Sequence, residues 1–442
     1  MKKTRFIRLL SFALALLMTV GCLAALSGCS GSSGKVLMKA GNQTISTNVF
    51  QLMLSRVKGT LSRGGYKVDD ASFWDTVIDS DGTVYGTYMV QRALMDAKRY
   101  LVAAVIFEEA GLTLPKATLD AIDAEIQEFI EYDANGSKSA FNSLLSAYGA
   151  NVTALRELYI LEAKSAALKT HLYGANASQV AATVKQEYLD ANAVCFKQIL
   201  FRNYYEKYEV DVNGDEIYYL TDSNNARVNN ISYDSKNGTP KLDDKGNVIV
   251  DANKDTVYYT SDGHIAYDKT KGQRAPLYDK NGDVQVGEYT ADEKKAHLEQ
   301  AEEMVAMLQK GDYTAFESLI KECVAASDDV ILTDNEYCFL YTTGDNNNDY
   351  LNDIADVLAP LNEGDFHLLS SDYGYAILMK YPMVEDAYSK TEYTEWFNDF
   401  NSRVIAELFR KKCDSRLEEI TVDNDQFAAL PSMKNIGTNF YY

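Results

Sequence analysis

Apolar positions along this chain follow three rhythms, and each predicts a different kind of element. Near the start, residues 9–20 form an almost unbroken apolar run, interrupted by Ser11 and Thr19. This run is shorter than the roughly 20 apolar residues that a bilayer-spanning helix needs. Residues 36–45 read as a strand and turn centred on Gly41-Asn42, after which Thr47 is the expected cap of a helix carrying Val49, Phe50, Met53 and Leu54. Helical spacing then dominates. Met89, Leu94, Tyr100, Leu101, Val105 and Ile106 mark a helix over 86–110 that ends at Gly111. Further helices are expected over 116–132 after Pro115, over 141–148 before Gly149, and over 152–172, where Leu155, Leu158, Leu161 and Leu168 recur. Together these segments read as one small α domain. A helix over 178–190 leads into an apolar strand over 194–201.

At residue 202 the rhythm changes. Residues 202–290 hold eleven of the 31 tyrosines, with Asn-Gly or Asp-Gly at 213–214, 237–238, 262–263 and 281–282 and the reversed pair Gly246-Asn247. Short alternating runs such as Val248-Ile-Val250 and Val257-Tyr-Tyr259 lie between these turn dipeptides, which argues for β-hairpins in an inserted excursion. Helical order returns at Thr290-x-x-Glu293 and again at Thr314-x-x-Glu317, both spaced as capping boxes. A helix over 350–361 and a strand over 373–381 follow. After Pro382 a long amphipathic helix is expected, bearing Tyr393, Trp396, Phe397, Phe400, Val404 and Leu408.

Charge changes the meaning of the first apolar run. Lys2, Lys3, Arg5 and Arg8 precede it, as in a secretory signal peptide. Leu26-Ser27-Gly28-Cys29 then resembles a lipobox, in which small residues admit the signal peptidase and the cysteine thiol carries the lipid; Cys22 is a poorer match. The alternatives are an ordinary cleaved signal or an uncleaved anchor. The expectation is a leader over 1–28, a lipidated Cys29 and a flexible tether over 29–35, holding the protein on the extracytoplasmic face of a membrane. Two or more acyl chains suffice for stable attachment.

The chain has 43 basic and 64 acidic residues and a net charge of −21; without the four cations of the leader it carries −25. So acidic a chain is a poor candidate for binding nucleic acid or an anionic membrane surface. Cys195, Cys323, Cys338 and Cys413 are widely spaced with no CxxC, which argues against zinc. Cys323 and Cys338 are either a disulfide or buried thiols.

The order of four stretches carries a resemblance: Gln198-Ile-Leu-Phe201, Leu308-Gln-Lys-Gly-Asp-Tyr-Thr-Ala-Phe316, Leu361-Asn-Glu-Gly-Asp-Phe366 and Gly374-Tyr-Ala-Ile-Leu378. Residues 194–381 resemble a parvulin-type peptidyl-prolyl isomerase domain, whose first strand reads His-Ile-Leu-Val and whose last reads Gly-Tyr-His-Ile-Ile. Residues 180–192 resemble the helix that precedes this domain in PrsA/SurA-type foldases. Residues 36–188 resemble their client-binding chaperone domain, and 385–420 the C-terminal helix that packs back onto it. The resemblance implies an α+β multidomain protein. A helical SurA-N-like chaperone domain would span 36–190, a parvulin-like α/β domain with a β-rich insert (202–290) would span 191–384, and a C-terminal helix and tail (385–442) would complete the helical domain.

Parvulins lower a barrier of about 20 kcal/mol to X-Pro rotation. They hold the prolyl ring in an apolar pocket while polar groups, two of them histidines, organise the twisted amide. By the resemblance, the two histidine positions are Gln198 and Ala376. The pocket Leu position is Glu336, within Thr333-Asp-Asn-Glu-Tyr-Cys-Phe339, and the pocket Met and Phe positions are Tyr350 and Ile354. Cys323 stands nearest the family's polar Cys/Asp position. His171, His264, His297 and His367 fall at no family site and are expected as solvated surface residues.

Other candidate chemistry has plainer explanations. Asp211-x-Asn-x-Asp215 is spaced like the opening of an EF-hand loop with Asp222 at the twelfth position, but Glu216 sits where that loop needs glycine. Asp251-x-Asn-x-Asp255 repeats the spacing, Asp279-x-Asn-x-Asp283 lacks the twelfth acid, and hairpin turns account for all three. The tyrosines of the insert suit either partner binding or cross-strand packing. Glu302 and Glu303 are expected on a solvent face. No Gly-x-Ser-x-Gly, phosphate-binding loop or His-Glu-x-x-His occurs. The expected function is therefore a membrane-anchored chaperone for unfolded or nascent exported polypeptides, needing no cofactor or metal, its isomerase activity weak or lost. The rivals are an active parvulin-type isomerase and a surface-binding or adhesion lipoprotein.

Overall fold

A computed structural model describes residues 33–221, 227–326, 330–333, 336–343, 346 and 348–442. Residues 1–32, where the leader, the lipobox with Cys29 and the first part of the tether are expected and which include Cys22, lie outside the described residues, as does Asp222. Among those described, no helix is long and apolar enough to cross a membrane. The fold is mixed α+β, 47% helical and 19% strand, so helices outweigh several small sheets. It divides into two compact units: residues up to Lys185 together with Asn398–Tyr442, and Gln186–Phe397.

The first unit opens on the hairpin β1 (Val36–Ala40) and β2 (Gln43–Ser46), with Ala40 opposite Gln43 and Gly41 at φ +53 in the turn. Helices α1 (Thr47–Arg63), α2 (Tyr85–Glu109), α3 (Lys116–Ala134), α4 (Lys138–Leu145) and α5 (Val152–Tyr173) follow. The cap of α1 is Ser46 rather than Thr47: its hydroxyl accepts the Val49 N–H at 3.3 Å, because a cap must stand three residues before the donor it satisfies. Met89, Ala93, Ala97, Leu101 and Ala104 place one face of α2 in a core shared with Phe50, Trp74, Phe141 and Leu155. Each large side chain so buried contributes about 1.5–3 kcal/mol.

The chain returns to this unit at the C-terminal helix Phe400–Asp414, whose Phe409 and Cys413 pack against Val102, Ile106, Phe107 and Leu168. The tail beyond it supplies Met433, Ile436 and Tyr442 to the main core. Lys58, 4% exposed, donates to the Met433 and Ile436 carbonyls at 3.2 and 2.9 Å. Gly59 admits this tail: a Cβ there would stand 1.7 Å from the Asn439 carbonyl oxygen.

In the second unit β3 (Ala193–Arg202) follows α6 (Ala182–Asn192), within which the boundary between the units falls. After the insert come α7 (Ala291–Met307), α8 (Tyr313–Ala326), β4 (Ile331–Thr333), β5 (Cys338–Tyr341), α9 (Asp349–Leu358), β6 (Phe366–Ser371) and β7 (Gly374–Tyr381). One five-stranded antiparallel sheet results. β3 lies at its centre, pairing with β7 along eight residues on one side and with β4 and β5 on the other, while β6 flanks β7. Every residue of β3 except Gln198 is buried, which is why the strand reads as an apolar run rather than an alternation.

Two expectations change here. The box at Thr290–Glu293 is present, but α8 is capped by Asp312, whose carboxylate accepts the Ala315 N–H at 2.9 Å. The helix thus starts one residue before Thr314, and Glu317 instead pairs with Lys197 at 2.9 Å. After Pro382 the chain makes short 3-10 turns, and the helix begins only at Phe400. Tyr393 and Phe397 are spaced like a helix face, but their rings pack on Phe339 of β5 at 4.7 and 5.1 Å.

The insert is a set of hairpins. Its two ends pair as Tyr204–Glu206 against Val286–Glu288, and Tyr218–Thr221 pairs with Gly272–Arg274. The three Asp-x-Asn-x-Asp stretches are turns. Asp211, Asp251 and Asp279 each accept main-chain N–H groups two and four residues on, at 2.8–3.1 Å, and Asp243 does the same.

Candidate functional site

Two places in the molecule are candidate sites, one in each unit. In the second, the pairing of β3 with β7 sets Gln198 opposite Leu378 and Leu200 opposite Ala376. Paired residues of an antiparallel sheet share a face. Gln198, Ala376, Tyr350 and Ile354 therefore meet on one side of the sheet, below α9. The Tyr350 hydroxyl donates to the Gln198 side-chain oxygen at 3.2 Å. Ala376, Ile354 and Leu378 are 0% exposed and belong to one apolar cluster with Val194, Phe196 and Leu358. Leu369, opposite Ala376, and Trp396 pack against it. The face that the resemblance assigns to a prolyl ring is thus filled by this chain's own side chains. Of the expected set, Glu336 is exposed and lies outside the cluster, as does the buried Cys323.

The opposite side of β3 carries Lys197, 8% exposed, whose ammonium sits 4.8 Å from the Tyr337 ring centroid and 5.4 Å from that of Tyr381 while pairing with Glu317. This is a satisfied internal ion pair under an aromatic cover.

The other place, in the helical unit, is a cavity of about 390 Å³ between α1, α2, α5 and the C-terminal helix. This is within the range typical of small-ligand sites. Of its apolar lining, Met53, Ala93, Leu158 and Phe409 are buried, and Val57 and Ala406 present accessible surface. Its lining also includes Arg56, Arg99, Lys169 and Arg410 against the two carboxylates Asp96 and Glu162. Three of these cations are compensated. Arg56 pairs with Glu162 at 2.6 Å and Arg99 with Asp414 at 2.7 Å and Asp96 at 3.0 Å, while Arg410 pairs with Glu407 at 2.8 Å and Asp414 at 3.0 Å. Burial alone would push the Arg56 guanidinium down, but Glu162 and the phenols of Tyr159 and Tyr100 hold it above the ordinary arginine value. Burial pushes the Tyr100 phenol up to about 12, with Glu162 adding to the effect.

Lys169 differs. Its ammonium lies 4.9 Å from the Phe409 ring centroid, and among the described residues no carboxylate pairs with it. Burial pushes it below the ordinary lysine value, and the neighbouring Cys413 sulfur opposes that only in part. A second depression on α2 is lined by Tyr88, Arg92 and Met95, with Asp96 and Arg99 lining both. The sequence reading missed this cavity because its residues come from four separated helices. The one available signal was cations recurring on α2, at Arg92 and Arg99, beside an apolar face.

Cys195, Cys323, Cys338 and Cys413 are all buried thiols, and the Cys323–Cys338 disulfide is not formed. Burial pushes the Cys195 thiol up to about 12 and the Cys413 thiol up to about 11, away from reactivity at neutral pH. Glu302, Glu303, His171, His264 and His367 are exposed. His297 is 9% exposed, contrary to expectation. Its Nδ1 faces the Arg202 carbonyl at 3.1 Å and its ring meets Tyr289 edge-on, because α7 lays this residue against the end of β3. No group of three or more His, Cys, Asp or Glu placed to hold a metal ion occurs among the described residues. No protein-family model matches the chain, and no curated protein matches it.

Proposed function

We propose that this protein is a lipid-anchored holdase that covers unfolded segments of exported polypeptides on the outer face of a membrane. The observation that carries the reading is the cavity of the helical unit, whose accessible apolar surface at Val57, Tyr100 and Ala406 an apolar segment of an unfolded client can cover. Cys29 tethers the cavity where exported chains emerge unfolded, and the acidic surface keeps a loaded complex in solution. The parvulin-like unit serves as a scaffold. Two facts support that role: neither Gln198 nor Ala376 can protonate or polarise a prolyl amide as a histidine would, and the face around them is packed shut.

The test is a pair of assays on the full chain without its leader. Suppressed aggregation of a denatured client, with no acceleration of a proline-limited refolding reaction, is the expected result. Acceleration would overturn the scaffold role and establish the active isomerase. Neither effect would remove the holdase. A second reading, adhesion through the insert, draws on Leu242, Tyr278, Val210 and Val250, which are 62, 55, 53 and 49% exposed on its hairpins. Deleting residues 202–290 leaves aggregation suppression intact if the cavity acts and abolishes it if the insert does.

A further inference from the structure

The charge arrangement in the cavity narrows what it takes. In a chain with 64 acids and 43 bases, the lining reverses the balance with four cations against two carboxylates. The three arginines are neutralised by Glu162, Asp96, Asp414 and Glu407 and act as a fixed frame. Lys169 is the lining cation with no such partner among the described residues. Its ammonium is held over the Phe409 ring, and Phe409 is itself part of the apolar wall. A cation and an apolar surface thus converge on one volume. An incompletely solvated ammonium gains more from a carboxylate than an exposed one does, because less water must be displaced when the pair forms.

We propose that the cavity selects client segments in which a carboxylate side chain is flanked by aliphatic or aromatic residues, with Lys169 recognising the carboxylate. This rests on the holdase reading and names its substrate class. The flanking apolar side chains lie over the accessible apolar surface of Val57, Tyr100 and Ala406, and the carboxylate accepts a hydrogen bond from the Lys169 ammonium. A densely acidic segment is a poor client, since the acidic surface repels it. A neutral apolar segment binds without the charge contribution.

The experiment uses the full chain without its leader and three labelled peptides with Leu-Phe-Glu-Leu, Leu-Phe-Gln-Leu and Leu-Phe-Lys-Leu cores, their binding read by fluorescence anisotropy. The Glu peptide is expected to bind about tenfold tighter than the Gln peptide, as for a charge-assisted hydrogen bond in a partly desolvated site, and the Lys peptide weakest. In Lys169→Met the Glu and Gln peptides become equal, and in Lys169→Glu the Lys peptide becomes the preferred one. Thermal melts of both variants establish that they fold. Equal binding of all three peptides by the wild type overturns the selectivity and leaves the holdase reading standing. If no peptide binds while aggregation of a denatured client is still suppressed, this inference fails and the holdase reading stands; if aggregation is not suppressed either, both fail. A Glu preference that survives Lys169→Met assigns recognition to another residue and overturns the role of Lys169.

Discussion

The helical unit and the hairpin insert are ordered by opposite means. The helical unit rests on a large shared core in which Phe50, Trp74, Phe141 and Leu155 are at most 1% exposed. The insert buries few apolar side chains, Val257, Ala266 and Ala275 among them. Its order comes from turn chemistry and from tyrosine–aspartate hydrogen bonds that link one hairpin to another. Tyr267 donates to Asp211 at 3.1 Å and Tyr233 to Asp251 at 3.2 Å, while their rings stack. Damage to a shared core should spread through the whole unit, whereas damage to a turn should remain in its hairpin.

The two tryptophans allow this contrast to be read separately, since Trp74 lies in the first unit and Trp396 in the second. The largest effect is expected from Phe141→Ala, which removes a fully buried ring packed on Phe129 and Tyr442. It should cost about 3–5 kcal/mol, seen as an earlier urea transition of Trp74 fluorescence in a Trp396→Phe background. Loss confined to α4, without a shift of the Trp74 transition, would break the comparison.

Ala376→His comes next. It forces an imidazole into a site that is 0% exposed and should destabilise the second unit by about 1–3 kcal/mol in a Trp74→Phe background. Proline-limited refolding should not accelerate. A stable and faster variant would show that the sheet face opens.

Asp251→Ala removes the two turn hydrogen bonds and the one from Tyr233, and should cost about 2 kcal/mol locally. Hydrogen exchange should quicken at Asn253 and Asp255 while the Trp74 transition stays in place.

The smallest effect concerns His264, which bridges two turns by pairing with Asp215 at 2.5 Å. Asp215, with Asp262 and Asp211 nearby, raises the imidazole above its ordinary value of 6.5. A raised folded-state value means that the pair's small contribution is present in full below pH 6.5 and fades as the pH rises through the folded value. Nuclear magnetic resonance titration should show the elevation, and Asp215→Asn should remove most of it.

Much of the secondary structure was legible in the chain. The periodic apolar faces of α2 and α5 appear as repeats of three and four residues, and Asp-x-Asn-Gly announces a tight turn by itself, because the aspartate reaches main-chain N–H groups only two and four residues away. Errors arose where distant partners compete with local signals. Tyr393 and Phe397 read as helix until Phe339 claims their rings, Thr314 reads as a cap until Asp312 takes the position, and His297 reads as solvated until Arg202 and Tyr289 enclose it.

The candidate sites follow the same division. That positions 198 and 376 lack histidine is a property of the sequence. That they share a face, and that Ile354, Leu378 and Leu369 close it, depends on strand pairing between residues far apart in the chain. The sequence by itself determined the acidic balance, the basic-then-apolar run with Leu-Ser-Gly-Cys29 near the chain's start, the helix faces and the insert's turns, all of which are composition or contacts within a few residues. Only the tertiary structure decided which cations are neutralised. Arg99 finds Asp414 across 315 positions and Arg56 finds Glu162 across 106, while Lys169 is left facing the cavity. Coulomb pairing depends on distance in space, and that distance exists only once the helices have packed.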